Sequence, residues 1–142
     1  MRIVPVEKED LPMVKALLAE VNLPLEGLEE HFANFLKLVV DGELAAVAGL
    51  EVYGKCGLLR SVAVAPAYQR SGLGQGITRA AINRARELGL TEVYLLTETA
   101  SDFFTRFGFK PVERSAVDPA VRQSVEFKSA CQASAVCMRL KL

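Results

Sequence analysis

The residue pattern best suited to chemistry is a glycine-rich junction between a strand and a helix, Gln69-Arg-Ser-Gly-Leu-Gly74. A strand is predicted to end at Ala65, and the glycines open directly into a long amphipathic helix. Glycine lets a backbone approach a ligand closely, and the unpaired N–H groups of a first helical turn lie at the positive end of the helix dipole. The junction is therefore suited to bind a phosphate or pyrophosphate through its main chain.

Three simple interpretations can be tested on such a junction. A P-loop requires Gly-Lys-Ser/Thr after the glycines, and the sequence has no lysine between Lys55 and Lys110, which excludes it. A dinucleotide-binding loop gains support from Glu98 at the predicted end of the next strand, but its turn should be shorter and should follow βαβ units. The third interpretation is a glycine-rich helix start that binds no ligand.

A fourth interpretation comes from a family resemblance. Residues 69–74 match the Q/R-x-x-G-x-G/A signature of the GNAT superfamily of acyl-CoA N-acyltransferases, and the surrounding VAVAPAYQRSGLG segment resembles the same region of that family. The N-terminal IVPV strand with its acidic helix start, and residues 100–112 with Gly108-Phe109, are similar to two further family segments in the same order. The resemblance covers most of the chain and implies an acetyl-CoA-dependent N-acetyltransferase.

The resemblance also implies where acetyl-CoA binds. The main chain of the strand before the junction would pair with pantetheine like an added strand, at Val62 and Val64. Gln69, which begins the signature, and Phe104, which stands where the family usually has a tyrosine, are also predicted to belong to the cofactor site. The amides predicted to bind the diphosphate belong to Arg70, Ser71, Gly72, Leu73, Gly74 and Gln75. No metal is expected.

Direct attack of an amine on the thioester requires loss of a proton from nitrogen and a donor for the carbonyl oxygen. The resemblance places Thr97 where the family usually has asparagine. Phe104 has no hydroxyl and cannot protonate a leaving thiolate. The catalytic groups are therefore predicted among Glu51, Thr97, Glu98 and Ser101.

The acceptor side is predicted to include Arg60, Glu126 and Cys131. Arg60 is predicted to alternate with Val62 and Val64 along one strand, where its guanidinium would hold a carboxylate bidentately. The segment Ser124–Met138 resembles the tail of a bacterial arsenic-resistance-associated branch, which implies a small amino-acid-like acceptor and a link to arsenic or toxic amino acid resistance. His31 is expected to be structural or solvated.

The elements that must position these residues follow from hydrophobic periodicity and turn signals. The fold class is mixed α/β (α+β), a GNAT fold with a central sheet of about seven strands, splayed after the fourth, and about four helices, in one domain over residues 1–142. Predicted strands are Arg2–Val6, Leu36–Val40, Leu44–Val52, Leu58–Ala65, Val93–Thr97, Lys110–Val112 and Ala135–Leu142. Predicted helices are an N-terminal helix with an apolar stripe from Leu11 to Val21, then Leu28–Phe35, Gly72–Gly89 and Ala100–Phe107.

Composition narrows the function classes further. Seventeen basic and seventeen acidic residues in 142 leave no net charge, so no global field attracts nucleic acid or an anionic membrane. The start MRIVPVEKED is neither a signal peptide nor a membrane span, which predicts a cytoplasmic protein. Cys56 and Cys137 are expected to be small buried hydrophobic residues. A catalytically silent acyl-CoA-binding sensor and a dinucleotide-binding protein stay as alternatives, and an exposed edge strand near the C-terminus favours a homodimer.

Overall fold

The computed structural model describes residues 2–128 and 133–142, so Cys131 lies outside the described residues. Its centre is a mixed seven-stranded sheet in the order β1-β2-β3-β4-β5-β7-β6. The strands are β1 (Arg2–Pro5), β2 (Phe35–Val40), β3 (Glu43–Tyr53), β4 (Cys56–Val64), β5 (Glu92–Thr97), β6 (Lys110–Pro111) and β7 (Val136–Lys141). The predicted fold class and strand number are confirmed.

Five α-helices accompany the described strands. They are α1 (Leu11–Glu20), α2 (Leu28–His31), α3 (Leu73–Glu87), α4 (Ser101–Thr105) and α5 (Val125–Lys128). The predicted second helix ran to Phe35, but Phe35 begins β2 and pairs with Gly49. A Cβ atom on Gly49 would lie 2.2 Å from the Phe35 ring, so the glycine makes room for this buried ring on the sheet. The short helix α5 lies in a stretch for which the sequence predicts neither a helix nor a strand.

The sheet opens between β4 and β5, as predicted. These strands are parallel and pair only where Cys56, Gly57 and Leu58 face residues 92–94. Every other strand pair in the described residues is antiparallel. Beyond Leu58, β4 pairs with β3 alone, so its other edge is free of β5 up to Val64.

A β-bulge changes which way the β4 side chains point. Arg60 faces Gly49 and Ala63 faces Val47, so three steps on β4 match two on β3. The bulge coincides with Ser61, whose φ is +58°. The extra residue places Arg60 on the opposite face from Val62 and Val64. The regular alternation predicted for Arg60, Val62 and Val64 along the strand is therefore interrupted at Ser61.

Two faces of the sheet carry separate groups of helices. Helix α3 covers one face through Ile77, Ala81 and Ala85, and Leu59, Val62 and Val64 of β4 belong to the same packed cluster. We call this the α3 face. On the opposite face, which we call the α1 face, Val14, Leu18 and Leu28 pack with Phe35, Val47 and Ala63.

Two of the cysteines lie in a third cluster of buried residues. Cys56 and Cys137 pack there with Leu58, Tyr94 and Val121. Burial raises the pKa of both thiols. The expectation that they are small buried hydrophobic residues is confirmed. No helix within residues 2–128 and 133–142 combines the length and apolar character that a membrane crossing requires.

Candidate active site

The glycine-rich junction forms a sharp turn ahead of α3. Arg70 and Gly72 both adopt left-handed backbone conformations, with φ of +65° and +80°. The Gly76 N–H donates to the Gly72 carbonyl at 3.2 Å. The amides of Leu73, Gly74 and Gln75 precede this bond, so they have no acceptor within the helix and point out of its N-terminus.

Side chains around the junction hold the turn in place. Gln69 Nε2 donates to the Val64 carbonyl at 3.1 Å, and the Ser71 hydroxyl donates to the Tyr68 carbonyl. Both bonds go to the main chain of the protein. The Ser71 hydroxyl and the Gln69 amide therefore stabilise the loop, while the main-chain amides after them remain turned outward.

Beyond Leu58 the edge of β4 is free of β5, and we call the opening between these two diverging strands, which runs up to the turn, the groove. A Cβ atom on Gly74 would lie 3.6 Å from Val64 and 3.7 Å from the Phe103 ring, so the first turn of α3 packs next to both side chains. Val62 and Val64 are half-buried. An extended chain can hydrogen-bond to a free strand edge as an added strand would.

The end of β5 forms the other side of the opening. Cys56 lies opposite Glu92 and Leu58 opposite Tyr94, and Ser61 and Thr97 each lie three residues further along their strand, past the last paired residues. The Thr97 hydroxyl accepts a hydrogen bond from the Ala100 amide at 3.0 Å. This bond fixes the turn into α4.

The other residues predicted near this turn differ in exposure. Glu98 is exposed, and Ser101 begins α4 with its carbonyl accepting the Thr105 hydroxyl at 2.8 Å. Phe104 is 7% exposed and packs edge-to-face on Phe103, with ring centroids 5.0 Å apart. Phe104 therefore supports the groove from within the core of the α3 face.

Four buried polar residues meet on the α1 face, and we call them the Arg60 cluster. Their members and relative exposures are Glu51 (1%), Arg60 (3%), Ser124 (2%) and Glu126 (5%). Arg60 donates from one terminal nitrogen to Glu51 Oε2 at 2.9 Å, and its other terminal nitrogen lies 3.8 Å from Glu126 Oε2. The structure thus brings together three residues that the sequence prediction assigned to the site.

The guanidinium of Arg60 has further partners within the protein. It donates to the carbonyls of Glu26 at 2.8 Å and Pro24 at 3.3 Å, and its Nε donates to the Ser61 hydroxyl at 3.0 Å. Its side chain is fully buried. Direct contact between Arg60 and an acceptor carboxylate stays a prediction, and this geometry favours a different role.

Glu51 accepts three hydrogen bonds in the cluster. Besides Arg60, the hydroxyls of Tyr53 and Ser124 donate to its Oε1 at 2.5 and 2.6 Å. Burial, together with this bond to Glu51, raises the pKa of Tyr53. His31 Nε2 lies 3.4 Å from the Tyr53 hydroxyl and 4.0 Å from Glu51 Oε1. Glu51 is thus enclosed by donors and cannot meet an acceptor amine directly.

Sequence reasoning missed two members of this arrangement, Tyr53 and Ser124. Tyr53 follows Glu51 by two residues on the same strand, so strand periodicity alone would have placed both side chains on one face. Ser124 is 73 residues from Glu51 along the chain, and no local pattern signals that contact.

Comparison with known proteins identifies the family. The sequence profile of the acetyltransferase (GNAT) family matches residues 6–109. The chain belongs to this family. The GNAT resemblance of the signature segment is thereby confirmed, whereas the arsenic-resistance branch stays a prediction.

Relatives and solved structures of GNAT proteins agree with this assignment. An amino-acid acetyltransferase of Neisseria meningitidis is 31% identical over 110 residues, covering 71% of this chain and 25% of the relative. The chain therefore spans about a quarter of the length of the curated relatives that it matches. N-acetylglutamate synthase from Neisseria gonorrhoeae, complexed with coenzyme A and N-acetyl-glutamate, has a TM-score of 0.86 and 25% identity over 99% of this chain and 35% of that chain.

A second solved structure matches over nearly its whole length. Rv2747 from Mycobacterium tuberculosis, also in complex with CoA, has a TM-score of 0.83 and 24% identity, covering 100% of this chain and 99% of that chain. At this identity the likeness shows the fold alone. The splayed mixed sheet is thus a fold that also occurs in a protein of similar size.

Proposed function

We propose that the chain transfers an acetyl group from acetyl-CoA to the primary amine of a small, amino-acid-like acceptor. The observation that carries the proposal is the outward-facing set of amides after Gly72, beside the groove along the free edge of β4. An amide-lined turn suits a diphosphate, and a free strand edge suits the amide-containing pantetheine arm. The relative named amino-acid acetyltransferase supports the acceptor class.

Acetyl-CoA would lie along the groove with its diphosphate at the turn before α3 and its thioester toward the middle of β4. Its diphosphate would meet the amides of the Arg70–Gln75 turn, and its pantetheine would pair with the main chain at Val62 and Val64. Gln69 would act by holding the loop to the end of β4, and Phe104 by supporting Phe103 from beneath. The thioester would then lie near the level of Ser61 and Thr97.

The reaction needs only a few groups. The acceptor nitrogen attacks the thioester carbon, the carbon–sulfur bond breaks, and CoA leaves as a thiolate. We assign the proton lost from nitrogen to solvent water next to Glu98, whose carboxylate is exposed. Thr97 and Ser101 would shape the turn beside the thioester, and Glu51 would act only through its hydrogen-bonded neighbours. Because Phe104 has no hydroxyl, the thiolate would take its proton from water.

A second candidate function is a silent acyl-CoA-binding sensor. The buried Phe104 ring favours it, because the position offers no acid for the leaving group. This candidate shares the donor site with the first and differs only in lacking turnover. A dinucleotide-binding protein would instead bind NAD at the same turn.

Two further residues predicted for the acceptor side are Glu126 and Cys131. Glu126 lies in the Arg60 cluster, whereas Cys131 lies outside the described residues. The proposed link to arsenic or toxic amino acid resistance rests on the resemblance of residues 124–138. It predicts that arsinothricin is acetylated at least as well as ordinary amino acids.

Two measurements test the proposal in sequence. Thermal unfolding should shift upward with acetyl-CoA and not with NAD, since a ligand that binds only the folded state stabilises it. Release of the CoA thiol should then require an amine, and amino acids should support it where spermidine does not. Stabilisation by acetyl-CoA without thiol release for any amine would favour the sensor, and stabilisation by NAD alone would overturn both acyl-CoA candidates.

A further inference from the structure

One side chain contacts the segments that surround the part of β4 near Ser61, where the thioester is proposed to lie. We infer that Arg60 is a positioning residue: it holds the 21–27 loop and α5 against the sheet, so that these two segments form fixed walls of the acceptor site. The inference rests on the proposed function for its acceptor, but its structural part is independent of activity. It replaces a direct bond from Arg60 to the acceptor carboxylate.

The first wall is the loop that joins α1 to α2. Two of its carbonyls, from Pro24 and Glu26, accept hydrogen bonds from the terminal nitrogens of Arg60. Gly27 ends the loop with a φ of +75°, and a Cβ atom there would lie 2.7 Å from Val125 and 3.5 Å from Arg60. The loop is thus packed tightly between Arg60 and α5.

The second wall is α5 with the residue before it. Glu126 forms an ion pair with Arg60, and Ser124 donates to Glu51, which Arg60 also binds. The Ser124 hydroxyl in turn accepts the Glu126 amide at 3.1 Å. Removing Arg60 would leave two buried carboxylates facing each other across the cluster and would separate both walls from β4.

The fold places these walls where an acceptor must enter. Helix α3 covers the other face of β4, and the donor groove follows the free edge of the strand. An amine can therefore approach the thioester only from the α1 face. Arg60 and Ser61 are at the start of the free edge, directly beneath the loop and α5.

Charge within the cluster argues against a third carboxylate there. Glu51 and Glu126 already outnumber the single guanidinium, and its N–H donors are directed at protein acceptors. An acceptor carboxylate entering the cluster would meet two like charges. An acceptor ammonium group near the cluster would be attracted instead.

The test compares three variants with one control. Arg60→Met removes the guanidinium, Gly27→Ala pushes the loop away from Val125, and Glu126→Gln keeps the size of the side chain and is the variant least expected to unfold. Leu38→Ala is the control, because Leu38 is buried on the α3 face of β2 and touches neither wall. The acceptors are the best amino acid of the wild type and its carboxamide, which has no carboxylate.

Arg60→Met and Gly27→Ala should raise the KM for the acceptor about tenfold or more, a loss equivalent to about 1.4 kcal/mol, and Glu126→Gln should raise it less. The fold-change in KM should be equal for the amino acid and its carboxamide. If the carboxamide is not acetylated, its inhibition constant is measured instead of a KM. The KM for acetyl-CoA should stay within about twofold, and Leu38→Ala should lower the unfolding temperature without changing either KM. A loss confined to the acid, or an equal loss in Leu38→Ala, would overturn the inference.

Amide hydrogen exchange keeps this test separate from the proposed function. Residues 21–27 and 124–128 should exchange faster in Arg60→Met and Glu126→Gln than in Leu38→Ala. If the wild type acetylates no amine, the proposed function fails and this measurement alone decides the structural part. Unchanged exchange in both segments would then overturn it.

Discussion

The proposed donor side of the site, the turn from Arg70 to Gln75, offers main-chain amides, whereas the proposed acceptor side, next to the Arg60 cluster, depends on buried side chains. The turn lies within six consecutive residues and is mostly exposed. The cluster joins β3, β4, the 21–27 loop and α5. One side depends on backbone conformation, and the other depends on hydrogen bonds between distant segments.

This difference predicts how each substitution should change acetyl-CoA binding and the stability of the fold. A change in the turn should weaken acetyl-CoA binding with a small loss of stability, because few contacts within the protein depend on it. A change in the cluster should destabilise the fold as well as the acceptor site, because buried charges lose their partners. Four predictions test this contrast, in order of the expected loss in unfolding free energy.

Arg60→Met should lower the unfolding free energy by about 3–5 kcal/mol, because it leaves Glu51 and Glu126 buried without their cation. Urea denaturation measures the loss. The matched control is Arg79→Met, since Arg79 is exposed and stacks 5.9 Å above the Phe107 ring, a contact worth about 0.5–1 kcal/mol. Equal losses in the two variants would show that the Arg60 cluster stabilises the fold no more than an exposed arginine contact does.

Ser124→Ala should cost about 1.5–3 kcal/mol, because Glu51 loses one of its three donors inside the protein. The same denaturation assay applies. Ser134 provides a control, since it is exposed and its contact with Glu98 is 3.5 Å, so Ser134→Ala should stay within about 0.5 kcal/mol. An unchanged unfolding free energy in Ser124→Ala would mean that the hydrogen bond from Ser124 to Glu51 does not stabilise the fold.

Gly72→Val should cost only about 1–2 kcal/mol, the strain of a side chain in the left-handed region. No atom lies within 4 Å of the added Cβ position, so the fold should persist. Calorimetric titration should show acetyl-CoA affinity lowered at least about tenfold, since the turn would no longer direct its amides toward the diphosphate.

Gly76→Ala is the matched control for Gly72→Val. Gly76 lies one turn further along α3, and its amide is already bonded to the Gly72 carbonyl. The alanine should stabilise the helix by up to about 1 kcal/mol and leave acetyl-CoA affinity unchanged. Weaker binding in this control, or unchanged binding in Gly72→Val, would contradict the assigned donor site.

The smallest expected effect is on alkaline stability. Since the pKa of Tyr53 is raised in the folded state, the folded protein keeps this proton longer than the unfolded chain does. The contribution is complete below about pH 10, the ordinary tyrosine pKa, and is lost as pH rises through the folded pKa. Tyr53→Phe should therefore reduce the fall in unfolding free energy above about pH 10.

Tyr68, near the junction before α3, is the counterpart of Tyr53 on the donor side. Tyr68 donates to Glu43 near the junction, and this bond raises its pKa too, but the bond is exposed to solvent. Tyr68→Phe should change the alkaline slope less than Tyr53→Phe does. If the two variants change the slope equally, burial next to the Arg60 cluster is not what raises the pKa of Tyr53.

The same contrast explains how far sequence reasoning reached. The turn was predictable because glycine and a helix start specify backbone conformation within six residues, and the splayed sheet was predictable from strand periodicity and the family resemblance. The direction of the Arg60 side chain was not, because a single bulge at Ser61 reverses it. Helix α5 has one turn and no apolar stripe, so its position depends on tertiary contacts with Glu51 and Arg60.

Transfer of an isotope-labelled acetyl group tests the central claim most directly. Acetyl-CoA carrying carbon-13 at its carbonyl is mixed with the protein and a panel of amino acids, and the label is followed by NMR. The account predicts that the carbonyl signal moves from thioester to amide, on the nitrogen of an amino acid, with one CoA thiol released for each amide formed. A signal that remains on the thioester, or that appears only as free acetate, would contradict it.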